Sequence, residues 1–181
     1  INLFGSGNVS AYVSLVALGR VQSITNGDKA RAALEQARDL DPSAPWAYLE
    51  LAHLDAGDRV QSLQHLSQAA DQTPDEAYIA ITKAELCEQW WRATKQEQDF
   101  QCAADAYAQA LDRRPNSGWL HSRVGEFYLP TNPVLAGQSW TLAHEHYQEA
   151  LRLRPNDPWA QERLAYVLYN LSDYAGAAQH Y

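Results

Sequence analysis

A chain of 181 residues with 46% apolar and 20% charged residues is large enough for one domain with its own core and has the make-up of an ordinary globular protein. Its net charge is −8, and its 14 basic residues, 11 Arg with Lys29, Lys83 and Lys95, form no basic stripe; this argues against a nucleic-acid or anionic-membrane surface, since each needs clustered positive charge. No run of about 18 apolar residues exists, so the chain is not itself expected to span a membrane, and the start at Ile1 with no Met anywhere reads as a processed or partial chain, in which a missing targeting signal carries no information.

Residues 1–27 are predicted to form a divergent first helix, with an apolar lead-in from Ile1 to Leu18. From residue 28 one phrase recurs. It runs small residue, large apolar residue four further on, small residue three beyond, proline five beyond. The instances are Ala30, Leu34, Ala37 and Pro42; Ser62, Leu66, Ala69 and Pro74; Ala103, Tyr107, Ala110 and Pro115; Ala143, Tyr147, Ala150 and Pro155. A fifth copy begins at Ala177 and reaches Tyr181. Residues three, four and seven apart share one helical face, so the small positions let a neighbouring helix approach and the large one fills the space between. Proline then ends the helix, lacking the N–H and clashing with the previous turn.

A second phrase follows each proline. Four residues on stands an aromatic: Trp46, Tyr78, Trp119 and Trp159. Nine and ten residues on stands an apolar-plus-small pair: Leu51–Ala52, Val124–Gly125 and Leu164–Ala165, with Lys83–Ala84 as the imperfect copy. Each unit therefore reads as two antiparallel helices, with repeats at about 28–44 (the second helix of the first unit), 45–76, 77–117, 118–157 and 158–181.

These phrases resemble the tetratricopeptide repeat (TPR) family, whose pattern is a Leu-Gly-like pair, an aromatic, a small residue, an aromatic, Ala and then Pro. The resemblance covers about residues 28–181, and Leu18–Gly19 is the matching pair in the first helix. It implies an all-α fold, a right-handed superhelical solenoid of about five antiparallel helix hairpins. The family repeat is 34 residues long, whereas the prolines here are 32, 41 and 40 apart. The phase survives on both sides, so the extra residues are expected between paired helices. They are Leu129 to Ser139, a loop by its Pro130, Pro133 and Gly137, and Gln89 to Gln98, which has no breaker and is expected to extend both helices to a turn near Thr94.

Cys87 and Cys102 flank that second insertion at equal distance from its turn. Two readings stand: a disulfide, which needs Cα atoms within about 7 Å, and two buried free thiols. The disulfide would imply an oxidising, extracytoplasmic or extracellular setting, while a cytoplasmic one is compatible with the thiols. The sequons at Asn8 and Asn170 are compatible with secretion and close to chance in number.

The resemblance places ligands on the face lined by the first helix of each repeat. Stepping from the aromatics at helical spacing gives Trp46, Leu49 and His53; Tyr78 and Glu85; Trp119 and Glu126; Trp159, Glu162 and Tyr166 as candidate groove residues. Aromatic faces stack on sugars, peptide Pro or Arg, and cations; the competing reading is that they pack the joints between repeats. The family's grip on a peptide carboxylate uses Lys, Arg and Asn, and the stripe here is aromatic and acidic instead. A basic or neutral peptide, or a carbohydrate, suits it better.

No catalytic residues, cofactor or metal are expected. Glu85, Glu126 and His53 have no supporting catalytic feature, and His144 and His146, two apart on a helix, point to different sides. The functional reading is a non-catalytic scaffold for protein or ligand binding through an aromatic and acidic groove. Two alternatives stand beside it: a subunit of an extracellular head-to-tail filament, self-associating through Ile1 to Leu18 and the C-terminal helix, and the repeat tail of a bacterial envelope membrane protein.

Overall fold

The computed structural model describes the backbone of residues 6–24, 26–73, 76–129 and 136–180, and the side chains of these except 6–8 and 136–138. Within them lie ten helices and no strand: α1 (Ser6–Gln22), α2 (Gly27–Leu40), α3 (Pro45–Leu54), α4 (Arg59–Gln72), α5 (Ala77–Thr94), α6 (Glu97–Arg113), α7 (Gly118–Tyr128), α8 (Ala136–Leu153), α9 (Pro158–Asn170) and α10 (Tyr174–His180). Pro74, Tyr181, the Pro130 to Pro133 stretch and Ile1 to Gly5 lie outside the described residues, as does the side chain of Asn8. The chain divides into two compact units, residues 1–110 and 111–181.

Helix starts follow from local chemistry. Asn26, Asp58, Ser117 and Asp157 each accept a backbone N–H of the following first turn, at α2, α4, α7 and α9. Each such cap satisfies a donor that the helix cannot, and contributes ~1 kcal/mol. Pro45 and Pro158 occupy first-turn positions, where the missing N–H costs nothing.

In the first unit, consecutive helices pair as α1 with α2 and α3 with α4, and α5 joins α6 through Cys87 and Cys102 and through Tyr107, whose hydroxyl donates to Glu88 Oε2 at 2.8 Å. The small-large-small phrase is the buried seam of every second helix. Ala30, Leu34, Ala37, Ser62, Leu66, Ala69, Ala103, Tyr107 and Ala110 are all buried. Opposite Leu34 stands Gly19 of α1, where a Cβ would come within 2.5 Å of Leu34 Cγ. That close approach makes α1 the first helix of the opening hairpin. Ser62, the polar variant of the small position, remains satisfied because its hydroxyl donates to the carbonyls of Ala52 and Asp55, each at 2.8 Å.

The Gln89–Gln98 insertion lengthens both helices. α5 ends at Thr94, and Lys95 takes the left-handed conformation, with φ 58°, that closes the turn. The added length is folded onto the preceding hairpin. Trp90 Nε1 donates to the Ala56 carbonyl of the α3–α4 turn at 2.7 Å, Arg59 lies over the Trp90 ring at 4.9 Å, and its guanidinium meets the buried Asp99 carboxylate at 2.8 Å. A second polar joint binds Asp55 to both Arg31 and His65, uniting α2, α4 and the end of α3.

In the second unit, α7 pairs with α8 and α9 with α10. The core gathers Ala143, Tyr147, Ala150, Ala160, Leu164, Val167, Leu168 and Ala177. Gly125 of α7 sits against the Tyr147 ring, three of whose atoms would lie 3.0 to 3.1 Å from an added Cβ. This is the same relation as Gly19 to Leu34.

Candidate functional site

α3 and α5 of the first unit present the first residues that the aromatic stripe singles out. Trp46 remains 41% exposed at the start of α3, and its ring lies 5.0 Å from that of Tyr78 at the start of α5, tilted by 56°. Two turns along the same helices, His53 Nε2 stands 3.8 Å from Glu85 Oε2. Burial holds His53 below its ordinary value of 6.5, with Arg20 pushing the same way and Glu50 opposing. The imidazole is therefore neutral at neutral pH, and its approach to Glu85 is not a charged pair there. Leu49 corrects the stripe. It is 3% exposed and belongs to the core, because its position turns toward the packed side of α3 and not toward solvent.

Two residues outside the sequence-based set complete this face. Arg20 Nε of α1 reaches Glu50 Oε1 of α3 at 3.1 Å. Burial raises the Glu50 carboxyl above the ordinary carboxylate value, offset in part by Arg20 and His53. Beside this pair a cleft of about 370 Å³ opens between α1 and α3, lined by Tyr12, Val13, Val16, Ala17, Arg20, Trp46 and Glu50. Tyr12 is held there by its hydroxyl oxygen, which accepts the Ala47 N–H at 3.1 Å. A signal for Arg20 existed in the sequence: it directly follows Leu18–Gly19, just as His53, Glu85, Glu126 and Tyr166 directly follow the other pairs.

In the second unit, Trp119 of α7 is 46% exposed and Trp159 of α9 is 38% exposed. Trp159 touches Tyr147 edge-on at 5.9 Å and lies beneath the Arg163 guanidinium at 5.5 Å, so part of its ring packs a joint. Glu126 accepts the Tyr147 hydroxyl at 3.0 Å and meets Arg163 at 3.5 Å. The resulting burial and negative charge keep that phenol protonated. Tyr166 stands edge-on to Trp140 at 5.6 Å, and Glu162 is exposed.

The remaining candidates lie elsewhere. The Cys87 and Cys102 sulfurs are at bonding distance, with Cα atoms 5.8 Å apart. Asn170 closes α9, its side-chain amide donating to the Tyr166 carbonyl at 2.7 Å. His146 meets His121, Nδ1 to Nδ1, at 3.2 Å and stacks on Tyr128. Among the described residues no group of three or more His, Cys, Asp or Glu is placed to hold a metal, and no helix is long and apolar enough to cross a membrane.

Helix hairpins in series, a small residue facing the large one at Gly19–Leu34 and Gly125–Tyr147, and a polar and aromatic face on the first helices define a TPR-type helical-repeat fold. As a sequence, the chain matches no protein-family model and no curated protein. Its structure is similar to that of pilF of Pseudomonas aeruginosa (TM-score 0.73, 19% identity, 97% of this chain and 75% of that one). It is also similar to a thermophilic TPR protein of Thermus thermophilus (0.67, 18%, 93% and 87%) and to MamA of Desulfovibrio magneticus (0.66, 15%, 97% and 92%). The chain thus has the TPR fold.

Proposed function

We propose that the protein is a non-catalytic interaction scaffold that binds an extended protein segment across α1, α3 and α5. The observation that carries this reading is Trp46: a large aromatic left 41% exposed, braced by Tyr78 and adjoining a cleft. Such a ring offers apolar contact area at small ordering cost, as interface anchors do. The TPR fold supports a protein partner over a carbohydrate. The cysteine pair at bonding distance supports an extracytoplasmic setting.

The test is a display selection of peptides on the purified protein, followed by Trp46→Ala. Affinity for the selected peptides should fall by roughly tenfold or more with unchanged far-UV circular dichroism. Unchanged affinity would place the binding surface elsewhere.

The filament reading retains one supporting observation, the exposed apolar side chains of α1 (Val9, Leu18, Val21) and of α9 and the segment following it (Tyr169, Leu171, Tyr174). Light scattering over a concentration series tests it; growth in mass with concentration is the expected outcome, and a constant monomer mass would remove it.

A further inference from the structure

The α1–α3 cleft joins two chemistries within one residue's reach. Its walls are aliphatic, Val13, Val16 and Ala17 on α1, with the Trp46 ring on α3. At its edge sits a carboxylate, Glu50, whose side chain is 19% exposed, whereas that of its partner Arg20 is 68% exposed. The anion is therefore fixed by the fold, and the cation above it stands on a flexible arm in water. His53, the next polar group along α3, is neutral at neutral pH, and Glu85 lies beyond it at 3.8 Å. An incoming carboxylate would meet two glutamates for one mobile arginine. An incoming cation would meet a preorganised carboxylate from which Arg20 swings aside without losing its hydration.

We propose that this cleft is a subsite for a basic and aliphatic peptide segment. An aliphatic side chain enters between Val16 and Trp46, and a neighbouring Arg or Lys of the same segment takes the place of Arg20 on Glu50. The proposal rests on the scaffold reading above and adds the chemistry of the partner. It is consistent with the net charge of −8, which steers basic partners toward the protein.

The probes are three fluorescein-labelled heptapeptides, Ala-Leu-X-Ala-Leu-X-Ala, with X as Arg, Gln or Glu, measured by anisotropy at physiological salt. The Arg peptide should bind at least roughly tenfold more tightly than the Gln peptide, and the Glu peptide most weakly. Glu50→Gln should bring the Arg-to-Gln ratio close to one, while Glu145→Gln, an exposed glutamate on α8, should leave it. Val16→Asp should weaken the Gln peptide. Arg20→Ala gives the sharpest readout: it removes the competing cation, so the Arg peptide should bind more tightly. A structural role for the Arg20–Glu50 pair alone would not raise affinity. Weaker binding of the Arg peptide to Arg20→Ala, a ratio unmoved by Glu50→Gln, a Glu peptide equal to the Arg peptide, or no binding of any of the three would each overturn the proposal. If peptides from the display selection remain sensitive to Trp46→Ala in that event, the scaffold reading survives without it.

Discussion

Gly19→Ala tests the close packing that joins α1 to α2. On an exposed helix this change would stabilise by ~1 kcal/mol, because Ala loses less backbone freedom than Gly. Here the new methyl would meet Leu34 Cγ at 2.5 Å and Cδ2 at 2.6 Å, about 1 Å inside ordinary carbon contact. Leu34 is buried along with Ala30 and Ala37, and in a close-packed seam relief of the clash requires α1 to move off α2. Overpacking of this kind costs ~1–3 kcal/mol, leaving a net loss of up to ~2 kcal/mol once the propensity gain is subtracted. For a chain of this size that lowers the melting temperature by up to roughly 8 °C. Thermal and urea unfolding of four proteins decides the matter: wild type, Gly19→Ala, Leu34→Ala and the double variant. In the Leu34→Ala background the clash is gone, so Gly19→Ala should become stabilising, a change of sign across the cycle. Gly57→Ala, where no atom lies within 4 Å of the new methyl, should be neutral or slightly stabilising. If Gly19→Ala stabilises the wild type, or destabilises both backgrounds equally, the reasoning from helix approach fails.

Three further outcomes are expected. Thiol alkylation without reductant should leave Cys87 and Cys102 unmodified, and reduction should lower stability by up to ~3 kcal/mol, the loop-closure value for a separation of 15 residues; free alkylation of both thiols would exclude the bond. Burial, with His121 adding to it, lowers His146 from 6.5 to about 4. The unfolded chain therefore binds the extra proton between those values, and stability should fall by up to ~3 kcal/mol as pH drops from about 6.5 to about 4. His146→Asn should flatten that part of the urea-midpoint profile, and an unchanged slope would refute the assignment. Asp55→Ala should cost ~2–3 kcal/mol by urea unfolding, because Arg31 and His65 both lose their shared carboxylate; Arg31→Ala should cost less, since Arg31 is the more exposed partner.

The sequence by itself determined the helix hairpins, their phase and the seam residues. Ala30, Leu34, Ala37 and their counterparts could be read because helical periodicity is local: three- and four-residue spacings state which side chains share a face before any partner is known. The aromatic positions were legible for the same reason, and so was Arg20 once Gly19 set the phase of α1. Other features depended on how one helix is set against another. Leu49 and Trp46 lie on the same stripe, yet only Trp46 stays exposed, because the rotation of α3 against its neighbours decides which flank of the stripe is covered. The Gln89–Gln98 insertion could be located but not its use: Trp90 and Asp99 close on the α3–α4 turn through contacts some 34 to 40 residues away in the chain. The Arg20–Glu50 cleft and the His121–His146 contact likewise join residues 25 or more apart. Such contacts are products of helix separation and rotation, which the chain settles by packing all its seams at once, and no local pattern encodes them.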